Sequence, residues 1–187
     1  MRGKTWATVF GVVILAVWQL PGCAGGLGSL IPLQTVDFDL VSGLGEFEVQ
    51  AGQPARKTGA GAFELPDITL GRGTIELDPD VITVIPADSG GAKGAVNLQQ
   101  TSTLEVRVWI APAAEVETVC ETGEQYGPYE VTLDENYVPI SIDPSSVTLT
   151  QNTLDLLNVG EFALCIQVVS PIDGTVTIES LTFNLGL

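Results

Sequence analysis

The sequence predicts an all-β chain folded as a single β-sandwich, jelly-roll or immunoglobulin-like in course, with a closed β-barrel as the alternative. Three observations carry this. Apolar residues alternate with polar ones at a period of two along most of the chain. Turn-forming pairs separate the alternating runs. No helical pattern longer than two turns follows residue 23, and 154–159 suits one short turn at most.

In chain order, Val36, Phe38 and Leu40 alternate with Asp37 and Asp39. Phe47 and Val49 alternate with Glu46, Glu48 and Gln50, and Ile75 and Leu77 flank Glu76. Leu104, Val106, Val108 and Ile110 alternate with Glu105, Arg107 and Trp109, and Val131 and Leu133 flank Thr132. Phe162 to Val169, Thr175 to Glu179 and Leu181 to Leu185 complete the set. Each pattern reads as a half-buried strand with one wet face. The breaks carry Ser42-Gly43, Ala51-Gly52, Asp78-Pro79, Gly127-Pro128, Asp143-Pro144 and Asp173-Gly174. The last reads as a hairpin turn. The total is about ten to twelve short strands, which suits a sandwich.

The residues before this body differ. Arg2 and Lys4 precede an uncharged, mostly apolar stretch over 7–20, which is short for a spanning helix and suits a signal-peptide core. Leu20-Pro21-Gly22-Cys23 follows. This tetrapeptide resembles the lipobox of bacterial lipoproteins, although Pro21 departs from the commoner residues there. The resemblance implies cleavage before Cys23, diacylation of its sulfur and acylation of the new amino group. It also implies the outer membrane in a Gram-negative envelope, because Ala24 is not the retaining aspartate. Two or three acyl chains anchor a protein stably, at ~0.8 kcal/mol per buried CH₂. An ordinary signal peptide cut elsewhere is the alternative. The expected organisation is a signal over 1–22, the lipidated cysteine and an uncharged tether over 23–34, and the sandwich over 35–187.

Seven Lys and Arg stand against 23 Asp and Glu, with no His, for a net charge of −16. Cleavage would remove two cations and no carboxylate, leaving −18. Such a chain is not expected to bind nucleic acid, which needs clustered cations. The lack of histidine removes Ser-His-Asp and Cys-His catalysis and histidine metal ligation. Cys120 and Cys165 remain once Cys23 is assigned to lipid, and in an oxidising compartment they are expected to form a disulfide.

Asp78 and Asp80 lie two apart, as residues sharing one face of a strand do, and are the first place to seek calcium, the one cofactor considered. A solvated acidic face is the plainer reading. Trp109 falls on the face of Glu105 and Arg107, and Tyr126, Tyr129 and Tyr137 cluster in sequence. Together the four could stack against a sugar or a protein, or pack beneath loops. Residues 75–84 (IELDPDVITV) echo 140–149 (ISIDPSSVTL), read as a shared Asp-Pro turn leading into a strand. The stretch ISIDPSSVTLTQ also resembles the opening of bacterial immunoglobulin-like adhesin domains, which implies the sandwich class and nothing finer. The expected function is a non-enzymatic, lipid-anchored structural or interaction module of the envelope. Its partners would be the membrane, through the anchor, and an envelope protein. The alternative is a glycan-binding module, calcium-assisted or not.

Overall fold

The computed structural model describes residues 34–40, 43–63, 69–87 and 102–186. The proposed signal, Cys23 and the tether up to residue 33 lie outside them. Among the described residues are twelve strands: β1 (Gln34–Asp39), β2 (Glu46–Val49), β3 (Pro54–Ala62), β4 (Arg72–Glu76), β5 (Ile82–Pro86), β6 (Ser102–Pro112), β7 (Glu124–Leu133), β8 (Pro139–Asp143), β9 (Ser146–Thr148), β10 (Glu161–Val169), β11 (Gly174–Ile178) and β12 (Ser180–Gly186). Two short helices join them, α1 (Val119–Thr122) and α2 (Gln151–Val159).

All pairings are antiparallel, in the orders β1-β12-β4-β9, β2-β11-β5 and β3-β10-β6-β7-β8. The first two groups are one layer with a crease. β1 runs on into β2, β4 into β5 and β11 into β12, and the three passes keep the same lateral order in both groups. Hydrogen bonds continue through the crease at Glu179. Its N–H donates to Val81 O (2.9 Å), and its carbonyl accepts from Leu40 N (2.8 Å). Beside it, Ile178 N donates to Gly45 O (2.7 Å). A Cβ at Gly45 would stand 2.1 Å from Ile178 O, so only glycine lets the two passes approach.

Counting β1–β2, β4–β5, β8–β9 and β11–β12 as single passes gives eight passes. One layer has the order first, eighth, third, sixth, and the other has second, seventh, fourth, fifth. That is the course of a jelly roll, not of an immunoglobulin domain. The expected sandwich is present. The barrel alternative is not, because among the described residues no hydrogen bonds join the sheet edges into a closed ring.

The core lies between the layers. Phe38, Phe63, Phe162 and Phe183 pack edge-on or tilted, with ring centroids 5.1 to 6.5 Å apart. β3 accommodates them by having no inward side chain at the contact. A Cβ at Gly61 would lie 2.4 Å from the Phe162 ring, and one at Gly59 would lie 2.7 Å from Leu44. The Tyr129 hydroxyl donates to Ile75 O (3.1 Å), tying one layer to the other.

Several expectations change. Sequence alternation missed β3, because its inward positions, Ala55, Lys57, Gly59 and Gly61, carry no large apolar side chain. β10 is not half-wet: Ala163, Cys165 and Gln167 are buried along with its inward residues. The stretch 113–122 lies over its outer face, and Trp109, Ala111, Val119, Ala163 and Cys165 form a second apolar cluster there. The helix near 154–159 is α2, nine residues long. Thr150 caps it by accepting from Thr153 N (3.4 Å), and Gly160 ends it at φ 90°.

Asp173-Gly174 is not a hairpin. β11 leaves β10 for the other layer and pairs with β2 and β5. The Asp173 carboxylate accepts from Ala51 N (2.8 Å) and its carbonyl from Ala87 N (2.9 Å), which ties the corner to that layer. The two Asp-Pro motifs differ in detail: Pro79 opens a 3-10 turn, whereas Asp143-Pro144 is a cis peptide. Both mark bends, since β4–β5 turns through the crease there and β8–β9 changes layers.

Candidate functional site

A cleft of about 540 Å³ opens at one end of the sandwich. The end of β6 supplies Ile110, Ala111 and Pro112 as an apolar floor, and Leu156 of α2 joins them. Thr122, Gly123 and Glu124, where α1 meets β7, form one wall, and Asn152 and Asp155 form the other. The geometry follows from α2. Its apolar residues Leu154 and Leu157 are buried with Thr153, which turns Asn152 and Asp155 outward.

A polar network braces this end. The Tyr126 hydroxyl donates to Thr153 Oγ1 (2.6 Å) and accepts from Thr150 N (3.4 Å). The Thr153 hydroxyl donates to Glu124 Oε2 (2.9 Å), and the Thr150 hydroxyl donates to the same oxygen. Glu124 thus sits beside the helix N-terminus, where a carboxylate is favourable. On the cleft rim the Thr122 hydroxyl donates to Glu115 (2.8 Å), and Gln151 donates to Asp155 (2.9 Å). Two carboxylates over an apolar floor can hold a ligand by shape and by accepting hydrogen bonds.

The residues singled out from sequence do not converge here. Trp109, Tyr126 and Tyr129 are 7%, 2% and 0% exposed, so none offers a stacking face and these three pack inside, the other of the two readings. Tyr126 and Tyr129 point inward with Val108 and Val106, their neighbours across the sheet. Trp109 does lie on the outer face, as its parity implied, but 113–122 covers it. Burial pushes the Tyr129 phenol well above its ordinary range, and nearby Glu76 adds to this. Tyr137 stands apart at φ 62° in the 134–138 turn, half-buried against the core. Asp134 organises that turn by accepting from Asn136 N and Val138 N (2.8 Å each). The Val138 and Asn136 amides hold its carboxyl below the usual range.

Asp78 and Asp80 are exposed, and Asp78 Oδ1 accepts from Asp80 N (2.8 Å). The pair shapes a 3-10 turn. Among the described residues, no three His, Cys, Asp or Glu side chains are grouped to hold a metal. Cys120 and Cys165 are bonded, with Cα atoms 5.3 Å apart, and fasten α1 to the outer face of β10. The cleft itself went unforeseen, because it needs α2 docked beside the end of β6. The one local signal was Thr150 three residues before Thr153. No protein family, curated protein or solved structure matches the chain.

Proposed function

We propose that the chain is a non-enzymatic, lipid-anchored binding module of the bacterial cell envelope, held at the outer membrane through Cys23. The observation that carries the reading is the Cys120–Cys165 bridge. A bonded pair belongs to an oxidising compartment outside the cytosol, which agrees with the independent address in Leu20-Pro21-Gly22-Cys23. The chemistry of the chain supports binding over catalysis. It has no histidine, and these two thiols are consumed in a bond. Its partner would be another envelope protein or a glycan. A glycan would have to meet a polar face, since Trp109, Tyr126 and Tyr129 are buried.

Substituting Cys23→Ser and labelling cells with palmitate tests the anchor. The label should disappear and the protein should move from the membrane fraction to the soluble one. Unchanged label and membrane retention would overturn the reading.

A further inference from the structure

The outer face of the five-stranded sheet is polar beside the disulfide-pinned ridge. In a chain with seven cations, two of them meet there in one cross-strand row. Gln167 of β10 is in register with Arg56 of β3 on one side and Arg107 of β6 on the other. Each guanidinium meets an acceptor at Nε, Arg56 through a hydrogen bond and Arg107 through an ion pair in which Nε makes no aligned hydrogen bond. Arg56 Nε donates to Gln167 Oε1 (2.6 Å), and Gln167 is itself buried. Arg107 Nε lies 2.6 Å from Glu105 Oε1 on its own strand. With Nε engaged in this way, the terminal N–H groups of each arginine remain as the fork that recognises a carboxylate by two bonds. Arg56 leans across the row and Arg107 leans along its strand, so the forks suit two anionic groups and not one.

The next row out has the opposite character. Glu105, Glu130 and Asp143 are in register across β6, β7 and β8. They can accept hydrogen bonds from hydroxyls and disfavour a surface that offers anions alone, such as phosphate. A ligand that offers carboxylates to one row and hydroxyls to the other fits both. We infer that this face binds an acidic polysaccharide built from uronic-acid units. The inference rests on the binding-module reading and not on the anchor.

The full-length protein in detergent would be titrated with polygalacturonate by calorimetry, with the fully methyl-esterified polymer as the uncharged control. Binding should be seen with the acid polymer and be weakened by salt. The ester should bind at least about tenfold more weakly, and an R56Q/R107Q variant should show a comparable loss for the acid polymer. Arg→Lys at both positions should recover only part, because charge returns without the fork. The Cys23→Ser protein should bind as the wild type does, which separates this result from the fate of the anchor. A near-ultraviolet circular dichroism spectrum unchanged from wild type would show that each variant is folded. Equal binding of acid and ester, no binding of either, or an undiminished R56Q/R107Q variant would overturn the inference. So would phosphatidylglycerol vesicles binding more tightly than the polysaccharide with the same dependence on the two arginines.

Discussion

Tyr126 illustrates how a side chain that looks available in sequence is consumed by the fold. Its ring fills the core, while its hydroxyl bridges Thr153 Oγ1 and Thr150 N at the start of α2. Removing that oxygen leaves the packing but takes a partner from two buried or half-buried polar groups. Tyr126→Phe should therefore lose roughly 1–2 kcal/mol of stability in urea unfolding, within the range for a buried hydrogen bond. Tyr137→Phe should change stability by less than about 0.5 kcal/mol, because that ring sits in a surface turn. Equal effects would contradict the assigned roles. The parity of Trp109 was legible, since it shares the outward face with Arg107, but that of the tyrosines was not: Tyr126 and Tyr129 are three apart and both oppose inward valines only because the register shifts between them. What covers the outward face was not legible, because residues 113–122 carry no pattern that says where they dock.

At the scale of elements, the docking is covalent. The Cys120–Cys165 bond spans 45 residues and holds a helix of only four residues against β10. So short a helix has no stability of its own, and the apolar cluster around Trp109 depends on the bridge to keep its cover. Closing a loop of that length stabilises by up to about 4 kcal/mol in the chain-entropy picture. Reduction should lower the melting temperature and admit protease between residues 113 and 122 before the rest of the sandwich is cut. Simultaneous loss of all protection would mean that the ridge is not a separate unit. Elements with large alternating residues were readable from sequence, and those defined by absence were not. β3 is a strand because glycine at 59 and 61 makes room for Leu44 and Phe162, which is the reverse of an alternation signal. The Asp-Gly pair at 173–174 carried the chemistry of a turn correctly. It could not say that the strand beyond it would pair with β2 and β5, since local turn propensity does not select a layer.

At the scale of the molecule, both the layer order and the charge depend on contacts far apart in sequence. β1 pairs with β12, joining Gln34 to Leu185, so the jelly-roll course could be narrowed by composition and periodicity but not chosen by them. Charge is the property that the whole fold has to tolerate. A net −16 over the chain leaves the wet faces crowded with carboxylates, directly opposed in places such as Glu105 and Glu130. Like charges across a strand pair destabilise, and their sum opposes compactness. Screening should relieve it, because the Debye length falls from about 30 Å at 0.01 M salt to about 8 Å at 0.15 M. Relief of about 1 kcal/mol would raise the melting temperature by roughly 2–4 °C in a protein of this size. Acidification is a poorer probe of the same effect. Protonation also reduces repulsion as pH approaches the sequence isoelectric point of about 4.1. However, Asp134 has its carboxyl held below the usual range by the Val138 and Asn136 amides. Its contribution is present above the unfolded pKa and is lost as pH falls through the folded one, so the two effects oppose each other at low pH. Calorimetric scans at fixed neutral pH and rising sodium chloride isolate the repulsion. A melting temperature that stays level or falls with salt would show that ion pairs such as Arg107–Glu105 outweigh it.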